Sequence, residues 1–203
     1  MEQAIAGVSF DCFGVLMGDP DGDYWNTIYR AAGGDPIKDE AFLDELFDKV
    51  NHGSITDAQF ERAVERHLRI PSGAFTDQRR RGEKPNKTLL TYIGDVVRPA
   101  VDGRLVVTSN AGVGVVADRL GGYTALFSDI VESAAVGTAK PSAHIYQVAA
   151  GTLALRPNQM IHVDDTQRYI QAAVEAGMAG GVHYTDIRSC QQGLARFLPA
   201  LAS

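Results

Sequence analysis

Four short segments of the sequence carry side chains that could act together on a charged substrate. They are Asp11, the pair Ser109-Asn110, Lys140 and the pair Asp164-Asp165. Adjacent carboxylates at a buried edge repel each other unless a proton or a cation lies between them. Magnesium is held by few carboxylates and keeps room for waters and phosphate oxygens. An acid, a hydroxyl, a lysine and a paired acid therefore suit metal-assisted chemistry on an anion, provided that the fold brings them together.

The stretches before these segments predict the elements that must position them. Short apolar runs without alternation are typical of parallel strands buried on both faces. Such runs are Ile5–Phe10, Leu105–Thr108, Met160–Val163 and Gly181–Tyr184, with a shorter one near Ala125–Ile130. Helical patterns separate them at Val113–Leu120, Ser142–Leu155, Gln167–Ala176 and Asp186–Leu198. This alternation predicts an α/β fold, a three-layer Rossmann-like parallel sheet core, whose strand ends form a common edge.

Residues 19–85 break the alternation. They contain no convincing strand, and their amphipathic patterns predict helices at Tyr24–Ala32, Asp39–Val50 and Thr56–Leu68. Thr56 and Gln59 have the spacing of a capping box at a helix start. We therefore expect residues 1–18 and 86–203 to form the core, and residues 19–85 to form an inserted helical cap. We interpret Arg79-Arg80-Arg81 as a solvated face near the hinge.

Composition excludes several classes of protein. The 203 residues carry 19 Lys and Arg against 25 Asp and Glu, a net charge of −6. This balance gives no electrostatic reason to bind nucleic acid or an anionic membrane. No apolar run approaches the roughly 18 residues of a membrane span, and Met1-Glu2-Gln3 is not a basic leader. Two cysteines form neither a disulfide framework nor a zinc site, so we expect a cytoplasmic protein with reduced thiols.

The order of the four segments resembles the haloacid dehalogenase (HAD) superfamily. Asp11 and the following Cys-Phe-Gly-Val-Leu resemble the first motif of that family, whose leading aspartate is the nucleophile. Ser109-Asn110 resembles the second motif, whose hydroxyl and amide hold the phosphoryl group. The inserted helical block also stands where the family has its small helical cap. The resemblance covers nearly the whole chain.

The last two segments resemble the remaining motifs of the family. Lys140-Pro141 is similar to the third motif, whose lysine neutralises the nucleophile and the phosphate. Val163-Asp164-Asp165 is similar to the fourth motif, the acidic metal site.

The resemblance implies a magnesium-dependent phosphatase that acts on a small phosphorylated metabolite, such as a sugar phosphate, through an aspartyl-phosphate at Asp11. It implies that Asp11, the Phe13 carbonyl and Asp165 bind Mg²⁺ directly, with Asp164 acting through water or directly. Lys140, Ser109, Asn110 and the amides near Phe13 and Gly14 are then expected to bind the phosphoryl group; Asp11, Ser109 and Lys140 are the expected catalytic residues. The oligomeric state stays open.

Phe13 departs from the family pattern. Phosphatases of the family usually have a second aspartate at this position, which serves as general acid and base. An aromatic residue there also resembles the 2-haloacid dehalogenases, which displace halide and need no proton on the leaving group. Those enzymes generally lack the double acid, and no arginine follows Asp11 closely. A hydrolytic dehalogenase and a catalytically weak binding protein with this fold therefore remain alternatives.

Several other residues receive structural interpretations. Gly112, Gly114 and Ala117 match the outline of a dinucleotide-binding loop, but the other motifs already account for this loop. We expect Cys12 to be a small buried residue and His162 to be a core residue with satisfied hydrogen bonds. Trp25 is expected to pack between cap and core. A further departure, Tyr169, stands where many members have another acid.

Overall fold

A computed structural model describes residues 4–18 and 24–201. The first three residues and the beginning of the predicted cap, 19–23, lie outside the described residues. Five strands form one parallel sheet: β1 (Gly7–Phe10), β2 (Leu105–Ser109), β3 (Asp129–Glu132), β4 (Met160–Asp164) and β5 (Gly180–His183). Their order across the sheet is β3-β2-β1-β4-β5. The predicted α/β fold is confirmed.

The register of the sheet brings the ends of the central strands to one edge. Phe10, the last residue of β1, aligns with Val107 of β2 and with Val163 of β4. Every residue of these three strands is buried, which explains why their apolar residues do not alternate with exposed polar ones. Because β1 ends first, Asp11 lies between the ends of its two neighbours.

The described residues 24–82 form four helices: α1 (Tyr24–Ala31), α2 (Glu40–Asn51), α3 (Asp57–Leu68) and α4 (Ala74–Gly82). They pack around their own apolar cluster, in which Phe60, Val64 and Phe75 are almost fully buried. The predicted capping box is present, since Thr56 and Gln59 exchange side-chain and backbone hydrogen bonds. Among the described residues 24–82 there is no strand.

The remaining helices cover both faces of the sheet. They are α5 (Lys87–Tyr92), which continues through a π-helical turn (Ile93–Val97) into α6 (Arg98–Ala100), then α7 (Val115–Leu120), α8 (Ser133–Val136), α9 (Ala143–Thr152), α10 (Gln167–Glu175) and α11 (Ile187–Ala195). One apolar cluster includes residues of α5, α7 and α11, and a second includes residues of α9 and α10. Helices on both sides of a parallel sheet make the predicted three layers.

The edge strand β3 begins later than the sequence predicts: at Asp129 instead of near Ala125. Residues 121–126 form a 3₁₀ helix instead of the start of a strand. Phe127 turns its ring edge-on to Phe10 in the core, and sheet pairing begins with the bond from the Ser128 amide to the Leu105 carbonyl. The apolar run near Ala125–Ile130 thus contributes packing before the strand begins at Asp129.

Four helices of the structure, α4, α5, α6 and α8, were absent from the sequence-based prediction. α4 has strongly polar composition, and Phe75 is its only buried apolar residue, so it lacks the apolar periodicity that identifies an amphipathic helix. α5 and its π-helical extension bury Leu89, Leu90 and Ile93 almost completely. Within the part of the chain that the structure describes, no helix has the length and apolarity needed to cross a membrane.

Candidate active site

A buried lysine links two of the predicted acids. The Lys140 ammonium lies 2.8 Å from Asp11 Oδ1 and 2.6 Å from Asp164 Oδ2. Its side chain is only 1% exposed. Burial opposes its charge, but the two carboxylates outweigh burial and raise the pKa of Lys140 well above its usual range. The lysine is therefore charged at neutral pH and holds both acids in place.

Asn110 fixes the backbone that carries this lysine. Its side-chain amide donates to the Lys140 carbonyl at 3.0 Å, and its side-chain oxygen accepts from the Lys140 amide at 2.7 Å. The prediction that Asn110 binds phosphate is therefore limited to its backbone amide. Its side chain is committed to the lysine loop, so the backbone amide is the group that it can offer to an anion.

Asp164 lies behind the cavity instead of facing it. Its Oδ1 accepts from the Thr166 amide at 2.8 Å, and its Oδ2 lies close to both Lys140 Nζ and His162 Nε2. Burial raises its pKa, but Lys140 and His162 more than offset this effect and hold the pKa of Asp164 well below its usual range. Asp164 is an ionised acid with all its oxygens engaged.

A chain of buried polar groups continues from Asp164 across three strands. His162 Nδ1 lies 3.0 Å from the Ser9 hydroxyl, which lies 2.8 Å from the Thr108 hydroxyl. His162, Ser9 and Thr108 have no solvent exposure. The expectation that His162 is a satisfied core residue is confirmed, and its partner is a candidate site acid. Sequence reasoning missed Ser9 and Thr108, because single hydroxyls inside apolar strands carry no signal of their own.

Asp165 points toward the turn after Asp11. A Cβ atom placed on Gly14 would lie 2.2 Å from Asp165 Oδ2, and Gly14 has a φ of +88°. Only glycine allows both this close approach and this backbone conformation. Burial, followed by the charges of Asp11 and Asp164, raises the pKa of Asp165 to about 7.

Asp11 is buried and, like Asp165, lies close to other carboxylates. Burial raises the pKa of Asp11; the Lys140 charge lowers it and Asp164 raises it again, so that Lys140 offsets the two raising effects only in part. One oxygen from each of Asp11, Asp164 and Asp165 lies within 4.8 Å of the others. Three carboxylates held this close create a local excess of negative charge, which a cation would relieve.

Two cations lie close to the aromatic ring of Tyr169 in the first turn of α10. Lys140 Nζ lies 4.9 Å and Arg168 Cζ lies 4.8 Å from the centre of the Tyr169 ring. Arg168 also donates to the Tyr169 hydroxyl at 2.9 Å. The position that carries an acid in many family members therefore carries an aromatic ring next to two positive charges. Arg168 was not among the predicted site residues.

The acids and the lysine open into a cavity of about 340 Å³ between the sheet edge and helices α1–α4. On the sheet side, six of the predicted site residues line it: Asp11, Phe13, Ser109, Asn110, Lys140 and Asp165. Phe13 also packs against both the core cluster and the helical cluster. Two other predicted residues, Asp164 and Gly14, support this lining from behind.

Helices α1–α4 close the cavity with aromatic and charged residues. Trp25 packs edge-on against Phe47 at 5.0 Å and against Phe60 at 5.5 Å between ring centres. All three line the cavity, together with Asp44, Val50, Asn51, Asp57 and Arg79. Trp25 therefore packs against residues of the helical block and lines the cavity, whereas packing between cap and core was the expectation.

The interpretation of the arginine run was wrong for Arg79. Its side chain is 2% exposed, and it forms ion pairs with Asp57, Glu61 and Glu83 at 2.8 to 3.0 Å. The pairing acids stand on α3 and at the end of α4, a juxtaposition that no local pattern indicates. Arg80 and Arg81 are exposed, as expected.

The glycine-rich loop after β2 has a structural role. Glu132 accepts hydrogen bonds from the amides of Gly114 at 2.5 Å and Val116 at 2.7 Å. A buried carboxylate thus occupies the beginning of α7, where a dinucleotide would place its pyrophosphate. This agrees with the structural interpretation of the loop. Cys12 is fully buried, and burial raises the pKa of its thiol well above the usual range.

Comparisons with known proteins agree with this architecture. Residues 105–181 match the family model described as haloacid dehalogenase-like hydrolase. A HAD-like family hydrolase from Porphyromonas gingivalis superposes with a TM-score of 0.70 at 20% identity, covering 94% of this chain and 98% of that one. A HAD family enzyme from Bacteroides thetaiotaomicron, solved with magnesium and inorganic phosphate, gives 0.68 at 17% identity over 90% and 94%.

A dehalogenase is also similar, with a TM-score of 0.59 at 14% identity over 88% of this chain and 84% of that one. A search of curated proteins finds no match. The family model spans β2 to β5 and so includes three of the four predicted motifs, and the sheet places Asp11 of the first motif beside them. The chain therefore shares its fold with solved HAD-family hydrolases, and residues 105–181 are similar in sequence to haloacid dehalogenase-like hydrolases.

Proposed function

We propose that this protein is a magnesium-dependent phosphatase that hydrolyses a small phosphorylated metabolite through an aspartyl-phosphate on Asp11. The observation that carries the proposal is the charged Lys140 between Asp11 and Asp164, with Asp165 beside them, at the floor of a cavity. One cation cannot balance three carboxylates. The remaining charge supports a site that binds a metal ion together with an anionic substrate.

The donor set fits Mg²⁺, which prefers carboxylate and carbonyl oxygens. We propose Asp11, the Phe13 carbonyl and Asp165 as direct ligands, with Asp164 contributing from behind. The engagement of both Asp164 oxygens by Lys140, His162 and Thr166 supports this division. When bound, the ion would offset the repulsion between the nucleophile and the phosphoryl group.

The residues of the chain then have distinct roles. An Asp11 oxygen attacks phosphorus, forming the Asp11–phosphorus bond while the ester bond breaks; the leaving group departs with the bridging oxygen as an alkoxide or phenolate, which takes a proton from solvent. Lys140 neutralises negative charge on the transferred group, and Ser109 with the amides near Gly14 and Asn110 holds its oxygens. Water then displaces the carboxylate from phosphorus, which releases inorganic phosphate and regenerates Asp11.

We also propose that residues 19–85 act as a cap domain on a core formed by residues 1–18 and 86–203. Its support is the separate apolar cluster of α1–α4 and the position of the cavity between these helices and the sheet. The cap excludes water from the reaction and contacts the leaving group.

Hydrolytic dehalogenation is the second candidate, because Phe13 offers no group for proton transfer. Such an enzyme must also bind the carboxylate of a 2-haloacid. Arg79 lines the cavity, but three carboxylates already neutralise it, which favours the phosphatase. The third candidate, a catalytically weak binding protein, is also suggested by Phe13, because this residue cannot transfer a proton.

A panel of phosphate esters, assayed with and without magnesium beside a halide-release assay, separates these functions. We expect magnesium-dependent phosphate release that Asp11→Asn abolishes, since an amide is not an adequate nucleophile. Asp48→Asn, an exposed change on α2 outside the cavity, is the matched control. Halide release without ester cleavage would favour the dehalogenase, and neither activity would favour the binding protein.

A further inference from the structure

The cap side of the cavity has a composition that selects among leaving groups. Resting on the proposed function, we propose that it is a subsite for an uncharged or cationic ring and that it excludes leaving groups with a second anionic group. Sugar bisphosphates, phosphorylated carboxylic acids and 2-haloacids belong to the excluded class. The inference rests on three features of the cap side: its aromatic lining, the ion-paired Arg79, and the exposed acid Asp44.

Aromatic side chains form the apolar part of this subsite. Trp25, Phe47 and Phe60 contribute from α1, α2 and α3, and Phe13 approaches from the sheet side. The rings of Trp25 and Phe47 are partly exposed while they line the cavity. Aromatic walls favour a flat or apolar group that can pack against them. A volume of about 340 Å³ lies at the lower end of small-molecule sites, which suits a single ring with its phosphate.

The single cation among the described cap residues that line the cavity is Arg79. It is unsuited to bind a substrate anion, because Asp57, Glu61 and Glu83 each form an ion pair with it. Asp57 alone accepts two hydrogen bonds from Arg79 Nη1, at 2.9 and 2.8 Å. Arg119 also pairs with Glu83 and lies 3.8 Å from Glu61, so two cations face three acids and this network keeps a net negative charge.

Asp44 adds a further acid to the same wall. It is exposed on α2 and lines the cavity. The structure records no hydrogen bond or ion pair for it among the described residues, so its carboxylate is available to a ligand. Arg168 and Lys140 are the other cations on the lining, and both lie near Tyr169 on the sheet side, where the phosphoryl group is proposed to bind. A second anionic group on the substrate would therefore lie close to the cap carboxylates of Asp44 and Asp57 and be repelled by them.

The test compares three aryl phosphates that differ at one position of the ring: phenyl phosphate, 4-carboxyphenyl phosphate and 4-(aminomethyl)phenyl phosphate. Each is assayed for kcat/KM with magnesium. The corresponding arylphosphonates, which cannot be hydrolysed, are titrated against the magnesium-loaded protein by calorimetry. The binding measurement ranks the ligands even if none of the esters is a substrate.

We expect the carboxylated ligand to be at least about tenfold poorer than the other two, both in kcat/KM and in affinity, as charge repulsion across a partly desolvated site implies. Asp44→Lys should reduce this difference by about tenfold. Glu40→Lys makes the same charge change on an exposed face of the same helix outside the cavity, and it should leave the ratio unchanged.

Two outcomes would overturn the inference: equal affinity for the carboxylated and unsubstituted phosphonates, or the same selectivity in Asp44→Lys as in wild type. A further outcome distinguishes a failure of the proposed function from a failure of the subsite proposal. If no ester is hydrolysed but the phosphonates keep the expected ranking, the phosphatase is rejected and the subsite is supported.

Discussion

At the scale of single residues, Phe13 is the position with the sharpest chemical consequence. It stands on the lining of the cavity with a side chain that cannot transfer a proton. A positioned general acid typically contributes about 10²–10⁴-fold to a rate. We therefore expect aryl phosphates to be cleaved much faster in kcat than alkyl phosphates of similar size, because a phenolate leaves without a proton. Sugar 1-phosphates should lie between them.

Single-turnover rates on matched aryl and alkyl esters are the direct measurement. Equal rates would show that another group, such as a cap side chain, supplies the proton. Phe13→Asp offers a complementary test and should restore some alkyl-ester turnover if the new acid tolerates burial beside Asp11 and Asp165. The wild-type comparison is preferable, since a third acid in this place could be held protonated.

The raised pKa of Asp165 predicts how metal binding depends on pH. In the metal-free protein this pKa is about 7, so the folded state holds a proton that the unfolded chain releases near pH 4. The contribution of Asp165 to folding stability is therefore lost as pH rises from about 4 to about 7. Magnesium requires the ionised acid, so binding should be roughly tenfold tighter at about pH 8 than at about pH 6.

Calorimetric titration with magnesium, and the shift of Tm that magnesium produces at each pH, measure this dependence. In Asp165→Asn the affinity should be weak at both pH values. A wild-type affinity that is the same at both pH values would contradict the proposed role of Asp165.

At the scale of elements, the three central strands are joined by more than their backbone ladder. His162 connects Asp164 on β4 to Ser9 on β1, and Ser9 contacts Thr108 on β2. His162→Phe keeps an aromatic ring of similar shape but removes both nitrogens. We expect the free energy of unfolding to fall by about 1–3 kcal/mol, because buried polar groups lose their partner.

The same substitution should lower kcat about 10- to 100-fold, as is usual when a residue that orients a site acid is removed, with a smaller change in KM. Denaturant unfolding and steady-state kinetics measure the two effects. His144→Phe, at an exposed position of α9, is the control. A His162→Phe protein with wild-type kcat would show that the histidine serves packing alone.

The elements also show what a sequence can and cannot predict. β1, β2 and β4 were predictable because strands buried on both faces are mostly apolar without alternation. The polar side chains at their ends, such as Asp11 and Asp165, were predictable with them. The edge strand β3 was misplaced, since Phe127 is apolar for its packing against Phe10 and not as part of a strand. The burial of Arg79 was unpredictable, because its partners lie 4, 18 and 22 residues away.

At the scale of the whole molecule, ion pairs connect the helical block to the sheet layers. Arg119 on α7 pairs with Glu83 at the end of α4 and lies 3.8 Å from Glu61 on α3. Glu83 and Glu61 also pair with Arg79. This network joins α3, α4 and α7 in a largely buried place, where the loss of one partner leaves the others uncompensated.

Arg119→Met should therefore lower the free energy of local opening of helices α3 and α4. We expect faster hydrogen exchange of the α3 and α4 amides, by roughly tenfold or more if local opening becomes about 1–2 kcal/mol easier, while the amides of β1 and β4 remain protected. Arg80→Met, which removes only an exposed pair with Asp118, should have little effect. Equal acceleration in the strands and in α3 and α4 would show that the helices are not a separately opening unit.

The central claim is that Asp11 carries the phosphoryl group during turnover. The most direct measurement mixes enzyme and magnesium with an excess of aryl phosphate, quenches the reaction in acid within one turnover, and determines the mass of the Asp11 peptide. We predict that a fraction of this peptide carries one phosphoryl group, that hydroxylamine removes it, and that Asp11→Asn lacks it. Ester turnover without any phosphorylated Asp11 peptide, or undiminished turnover in Asp11→Asn, would contradict the account.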